Sequence, residues 1–324
     1  MAAPCWERSG PRTAPLAAVR PLVSIIVPTY NAESYVGETL ESALRQTYER
    51  TEVVVVDDGS TDGTVALVRR MDAGIRIVRQ TNSGVCVARN HGAASAQGAL
   101  LAFLDADDLW EPEKLERQVE VFQRHPEVGV VASDFDEIDG EGRKLSREMK
   151  QPRHLFNRVV DLHRQLLGFG NFLSVSASVT TRAAFEKVRG FHTTERILSG
   201  DYDLWIRISE HHRFFVLPEI LCHYRVLPNS QIHGSFEKEY GAQRRILEMH
   251  RGRFTRRQYQ RRLSRLYADW ADSALDENGP GGWKAWRKAL GYDPFNVEAW
   301  LLGTRILARR ILRPSRPASA IGAK

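Results

Sequence analysis

Between Leu22 and Leu104 short apolar runs alternate with segments of helical periodicity. "LVSIIV" (22–27) is rich in β-branched residues and predicts a strand stopped by Pro28. "ESYVGETLESALRQT" (33–47) follows with Tyr35, Leu40, Ala43 and Leu44 at helical spacing. "EVVVV" (52–56) predicts the next strand, and the turn-rich "DDGSTDGT" (57–64) leads from it into a helix at "VALVRRM". "IRIVRQ" (75–80) reads as a third strand, "SGVCVARNHGAASA" (83–96) as a helix capped by Ser83, and "ALLAFL" (99–104) as a fourth strand. Strands that are apolar throughout, alternating with helices, predict a parallel sheet covered on both faces. Ligands bind such sheets at the carboxyl ends of the strands. The segments Pro28-Thr29-Tyr30-Asn31, Asp57-Asp58 and Asp105 to Asp108 all follow strand ends, so three polar clusters are expected on one rim.

The alternation weakens beyond Trp110. A helix is expected over Glu113 to His125, and "VGVVASDFDEIDGEGRKL" (128–145) reads as a strand, a turn at Asp139-Gly140 and a return strand. "NFLSVSASVTTRAAFEKVRGF" (171–191) reads as a strand entering a helix that ends at Gly190. "DYDLWIRISEH" (201–211) reads as an amphipathic helix with Leu204, Trp205 and Ile208 inward. Residues 237 to 312 look helical with basic faces and a break at "ENGPGG" (277–282), and 279–314 suggests two helices around Asp293-Pro294, like one helical-repeat unit.

Charge changes this picture at one end. Of 46 Lys/Arg and 40 Asp/Glu, residues 241 to 324 hold 18 and 7, so a mildly acidic body carries a basic tail. A basic tail suits nucleic acid, anionic lipid or an anionic partner, and charge alone does not choose. Cys5, Cys86 and Cys222 lack paired spacing, which argues against a disulfide framework or a zinc site and fits a reducing compartment. Residues 1–20 carry Glu7, Arg8, Arg12 and three prolines without a signal-peptide core, and read as a disordered leader. No run of 18 apolar residues occurs, so no membrane-spanning helix is expected. A cytoplasmic location follows as the expectation.

Three carboxylates within four residues, Asp105, Asp107 and Asp108, repel one another unless a cation or a proton sits among them. Two aspartates separated by one residue at a strand end can present oxygens to a hard divalent cation, Mg2+ or Mn2+. The other reading is a solvated acidic turn that caps the next helix. Tyr30 after a Pro-Thr bend could lay its ring on a nucleobase, and Asp57 or Asp58 could accept a base N–H or hold a ribose hydroxyl. Equally, Gly59, Ser60 and Asp62 are ordinary turn residues. Arg89 is either a phosphate clamp aimed at the same rim or a surface arginine paired with an acid. His223 and His233 are weak ligand candidates, since lone histidines are more often structural.

"VSIIVPTYNAESYVGETLESALRQT", "VVVVDDGSTDGT", "NSGVCVARNHGAASAQGALLAFLDADDLW" and "GDYDLWIRI", in that order, resemble the family 2 glycosyltransferases with the GT-A fold, over about residues 22 to 230. The resemblance implies an α/β fold of Rossmann type, with a mostly parallel sheet between helices and a basic α-helical C-terminal extension. With the leader and the helical segment read above, the chain divides at 1–20, 21–235 and 236–324, the middle part having a nucleotide-sugar-binding half (21–125) and an acceptor-side half (126–235). The resemblance also implies a nucleotide-diphospho-sugar donor, most often a UDP-sugar, and inverting transfer to an acceptor hydroxyl. By position, Pro28, Tyr30, Asn31, Asp57 and Asp58 would surround base and ribose, and Arg89 would help with the nucleotide. Asp105-Ala106-Asp107 matches the D-x-D element, with Asp107 the direct ligand of a divalent cation and Asp105 nearer the ribose. The family's catalytic base falls on Asp201, where Gly200 replaces the first acid of the usual pair. Arg225 falls in a loop that in relatives closes near the diphosphate.

Inversion in one displacement needs such a base to take the acceptor proton. N-capping of helix 201–211 is the structural role open to Asp201, and Asp203 reads as a first-turn acid. A processive membrane synthase would carry membrane helices and a Q-x-x-R-W element, and a nucleotidyltransferase a glycine- and basic-rich loop after its first strand. None of these occurs in the sequence. A nucleotide-sugar binder without transferase activity is the alternative from another class, against which Asp107 and Asp201 count. The expected acceptor is a glycan, a glycolipid or a lipid-linked sugar in cell-surface polysaccharide or glycolipid synthesis, with no nucleic acid partner. Trp283, Trp286 and Trp300 beside Lys and Arg suit either peripheral contact with an anionic membrane, at the inner face of the plasma membrane, or packing against the catalytic domain.

Overall fold

Strands that are apolar on both faces need cover on both faces. The computed structural model describes residues 20–71, 74–146, 151–193, 199–227, 236–276 and 281–312. It places β1 (Val23–Thr29), β2 (Thr51–Asp57), β3 (Arg76–Arg79) and β4 (Leu100–Phe103) in parallel, in the order β3-β2-β1-β4. Odd-numbered β1 residues Val23, Ile25 and Val27 pack with Val53, Val55, Leu100 and Ala102 against α1 (Val36–Leu44) and α2 (Thr64–Met71). The opposite face carries α3 (Val85–Ser95). There a Cβ at Gly92 would come within 2.4 Å of Ile26 and 3.0 Å of Val56, so the bare glycine lets the helix lie directly on the sheet.

The apolar pattern ends the first strand before Pro28, yet Pro28 lies inside β1, buried and paired with Val56. Leu104 N–H donates to the Ile26 carbonyl, so even-numbered β1 positions face β4, and the β4 pairing stops at Ile26. The N–H that proline lacks therefore forfeits no ladder bond.

The sheet continues from β4 through β9 (Ser178–Thr181), β6 (Val128–Ile138), β10 (Arg213–Arg225) and β5 (Leu109–Trp110). Pairing is antiparallel at β4–β9, β9–β6 and β10–β5 and parallel at β6–β10. The return strand β7 (Lys144–Ser146) pairs with β6, and β8 (Val159–Val160) with β10. The longest ladders are parallel, as expected for this class, and α4 (Lys114–Arg124) covers β6 and β10. The strand expected from 171 begins only at Ser178, after which Thr181 caps α6 (Arg182–Lys187) by accepting the Ala184 N–H.

The expected amphipathic helix is α7 (Gly200–Ser209), and it departs from its pattern: Tyr202 through Ser209 are all buried. Asp203 and Arg207 pair internally at 2.6 Å, Arg207 also donates to the Val188 and Gly190 carbonyls, and Tyr202 donates to Leu166 of α5 (His163–Phe169). Charged residues read as a solvated face are instead neutralised inside.

The described residues fall into two compact units, divided between His233 and Gly234. The second contains α8 (Phe236–Met249), α9 (Arg256–Asp276), α10 (Gly282–Tyr292) and α11 (Val297–Leu312). Ala268, Ala271, Ala285, Ala289 and Ala299 let helices approach closely around Tyr267 and Leu302. The expected leader, apart from Arg20, and residues 277–280 of the 277–282 break lie outside the described residues. Among the described residues no helix is long and apolar enough to cross a membrane.

Lys114, at the start of α4, is fully buried. Its amine donates to Gln118 at 2.8 Å and lies 4.0 Å from the Trp110 ring centroid. Burial pushes its pKa from 10.5 down to about 7. Folding therefore expels a proton between those values, and this group's contribution to stability rises with pH across that window. The Tm difference between Lys114→Met and the parent is expected to be most favourable to the variant near pH 7 and to shrink towards pH 10, as thermal denaturation at several pH values will show.

Candidate active site

The carboxyl ends of β1, β2 and β4 lie at one edge by register, and their loops lock together. Asn31, in the left-handed region at φ 49, donates its N–H to Ser60 Oγ and accepts the Thr61 N–H on its side chain. Glu33 and Asp62 exchange further hydrogen bonds with the facing loop through Gly63 and Glu33 N–H. Between these fixed segments the Tyr30 ring stays 46% exposed.

Asp57 and Asp58 are buried and strongly engaged. Asp57 accepts the Ser60 N–H and pairs with Arg79 at 3.0 Å. Asp58 accepts from Gln80 and from the backbone N–H groups of Ser83 and Gly84, each at 2.8 Å. The expected cap, Ser83, turns its hydroxyl to the Thr81 carbonyl instead. Gly84, at φ 97, stands at the cap position without a side chain, so the Asp58 carboxylate, just past β2, accepts the Ser83 and Gly84 N–H groups and meets the positive end of α3.

That helix carries Arg89, which is buried and pairs with Asp105 at 2.5 Å. Its Nε is buried and without a partner among the described residues. The acidic segment after β4 is held by its main chain. The Asp105 N–H donates to Ser176 Oγ, Thr39 donates to the Ala106 carbonyl, and the Asp108 N–H closes a turn on the Asp105 carbonyl. Asp108 is fully buried and accepts the Arg225 N–H at 2.9 Å. Burial, with Asp107 and Asp105 nearby, holds its carboxyl well above the ordinary range.

Asp107 differs. Among the described residues no other side chain pairs with its carboxylate, and burial together with the Asp105 charge pushes its pKa up to about 6. Among the described residues no group of three or more His, Cys, Asp and Glu is arranged to hold a metal ion. One or two carboxylate oxygens are nevertheless a suitable protein share for a Mg2+-like ion that keeps water and takes phosphate oxygens. The uncommitted Asp107 carboxylate beside a satisfied Asp105 fits that donor set.

Asp201 sits one residue inside α7 rather than at its cap, which is Ser199 at φ 71. It accepts the Tyr202 N–H at 2.8 Å and the Asn171 side-chain amide at 3.0 Å. Burial raises its pKa, against the lowering influence of Arg89. Arg89 thus lies within electrostatic reach of both Asp105 and Asp201. Gly200 faces Cys86 of α3, whose Sγ stands 2.4 Å from where a Cβ would be.

Several groupings had no signal in the sequence. Asn171 holds Asp201 from thirty positions away, and Thr39 and Ser176 hold the acidic turn. Arg225 is the last residue of β10, not a loop residue, and is buried. His223 is wedged between Asp136 and Glu111, while His233 lies outside the described residues. Asp203, fully buried, is spent on Arg207 and His192.

A mixed sheet with nucleotide-side loops at the ends of its parallel strands defines the GT-A class of transferase folds. Residues 24–188, just over half of the chain, match the family described as Glycosyl transferase family 2, and the chain belongs to that family. It is 46% identical over 140 residues to the putative teichuronic acid biosynthesis glycosyltransferase TuaG of Bacillus subtilis, covering 42% of this chain and 55% of that one. The chain spans about half the length of such curated relatives. Its fold is similar to that of S. aureus TarS 1–349 in complex with UDP-GlcNAc, at TM-score 0.58 and 19% identity over 89% of this chain and 92% of the other. The mannosyltransferase PcManGT of Pyrobaculum calidifontis, in complex with GDP-Man and Mn2+, aligns at TM-score 0.52 and 22% identity over 98% of this chain and 81% of its own.

The Cys86–Gly200 contact leaves no room for an acid ahead of Asp201. Gly200→Asp is expected to cost about 1–3 kcal/mol of stability, and the added change Cys86→Gly to recover part of it, as urea denaturation will measure.

Proposed function

We propose that the protein transfers a sugar from a nucleotide-diphospho-sugar, a UDP-sugar, to an acceptor hydroxyl with inversion at the sugar carbon. The observation that carries this reading is the gathering of Asp107, which has no side-chain partner among the described residues, the buried Arg89–Asp105 pair and the Asn171-oriented Asp201 beside the nucleotide-side loops. Tyr30, the exposed aromatic at the rim, stacks on the base, with Pro28 beneath it in β1. Asp57, Asp58 and Asn31 fix the loops around base and ribose and keep lone pairs for them. Arg89 helps with the nucleotide by holding the Asp105 carboxylate in place. Asp105 stands nearer the ribose and Asp107 holds a divalent cation, Mn2+ or Mg2+. When bound, that cation supplies Lewis-acid stabilisation of the departing diphosphate.

Asp201 takes the acceptor proton. Its raised pKa makes it a stronger base than an exposed carboxylate, and it must be ionised to act, so activity is lost as pH falls through that raised value. The donor complexes of the two structural neighbours support a nucleotide-sugar donor, and the Mn2+ in PcManGT supports the cation. The likeness to the putative teichuronic acid biosynthesis glycosyltransferase of Bacillus subtilis supports cell-surface polysaccharide or glycolipid synthesis, with a glycan, glycolipid or lipid-linked sugar as acceptor.

With a panel of UDP-sugars and Mn2+, donor turnover is expected in the parent and about 100-fold or greater loss in Asp201→Asn with UDP binding retained. Turnover that survives Asp201→Asn intact, or that ignores chelation of Mn2+, contradicts the reading.

The second unit favours a membrane surface over packing alone. Phe295 (88% exposed), Val297, Trp300 and Leu301 form an apolar ridge at the start of α11, in a segment rich in Lys and Arg. Trp286, by contrast, donates inward to the Ala299 carbonyl, and so drops out of the expected trio. Sedimentation with anionic vesicles is expected at low salt and to fall at high salt and in Trp300→Ser/Leu301→Ser, whereas salt-independent or unaltered binding contradicts this contact.

A further inference from the structure

Arg225 ends β10 with its side chain 1% exposed. A guanidinium so buried is tolerated only when its donors are met. Its Nε donates to the Asp107 carbonyl at 2.8 Å, and one terminal nitrogen donates to the carbonyls of Asp139 and Gly140 at 3.2 and 2.8 Å. The other terminal nitrogen pairs with Glu38 of α1 at 2.9 Å, and the group lies 5.0 Å from the Tyr35 ring centroid. Its own backbone N–H donates to the Asp108 carboxylate.

One residue therefore holds both the Asp107 carbonyl and the Asp108 carboxylate, while among the described residues no other side chain pairs with the Asp107 carboxylate. The guanidinium spans the acidic turn on one side and two further segments on the other. It thereby joins the turn between β6 and β7 and the first turn of α1 to the acidic turn. We propose that Arg225 is a positioning residue: it fixes the main chain of Asp107 so that its carboxylate meets a cation–diphosphate pair, and it does not itself touch the nucleotide. This rests on the cation role given to Asp107 above. A lysine cannot replace it, because one ammonium cannot serve acceptors spread over three segments.

Calorimetric binding of UDP, with Mn2+ and with EDTA, tests this in the full chain. Asp107→Asn is expected to abolish the gain in affinity that Mn2+ brings, and if it does not, the cation role of Asp107 fails and this proposal with it. With that control in place, Arg225→Lys is expected to lose about 10-fold or more of the Mn2+-dependent affinity while UDP affinity in EDTA stays at the parental value. Glu38→Gln, at an exposed residue on the far side of the guanidinium, is expected to weaken the same Mn2+-dependent component to a smaller degree and to keep the parental Tm. A folded Arg225→Lys with parental Mn2+ dependence overturns the proposal, as does equal loss with and without Mn2+, which marks a purely structural role. Should Arg225→Lys not fold, a parental Mn2+ response in Glu38→Gln overturns it.

Discussion

Three carboxylates crowded at the end of β4 are the constraint around which this structure is arranged. Like charges taken out of water raise one another's proton affinity, and only nearby cations, hydrogen bonds or bound protons relieve them. Two buried arginines are set against them from opposite directions in the chain: Arg89 from α3 on Asp105, and Arg225 from the last strand on the backbone of Asp107 and, through its N–H, on Asp108. Much of the fold's detail serves that delivery. Gly92 lets the helix bearing Arg89 lie flat on the sheet, Asp58 anchors the start of that helix, and the thirteen-residue β10 runs far enough along β6 to bring Arg225 to the acidic turn.

The compensation is uneven, and the unevenness is chemically useful. Asp105 has a buried partner and Asp108 is sequestered, whereas Asp107 is left with a raised proton affinity and no side-chain partner among the described residues. Under the proposed function, a cation arriving with its substrate would use that uncommitted carboxylate. The buried Asp201, oriented by Asn171 and within the field of Arg89, gives the same small region a second carboxylate of different character.

The parallel core was legible because its signal is local: uninterrupted β-branched runs such as Val53–Val56 have no solvent face to offer. Pro28 misled because its cost depends on which neighbour its nitrogen faces, which only the register reveals. Ser83 misled because a carboxylate from the loop after β2 took the capping role, and α7 misled because Asp203 and Arg207 cancel inside the protein. The acidic turn and Asp201 stood out as residue types in pattern. What holds them did not, because Asn171, Ser176, Thr39 and Arg225 act across 30 to 118 positions of sequence and carry no periodicity of their own.

The most direct test of the central claim is a crystal structure with UDP and Mn2+ bound. The account predicts an Asp107 carboxylate oxygen about 2.1–2.2 Å from the ion, Asp105 still paired with Arg89, and Asp201 facing the sugar side of the diphosphate. An ion on the diphosphate with Asp107 turned away from it would contradict the account.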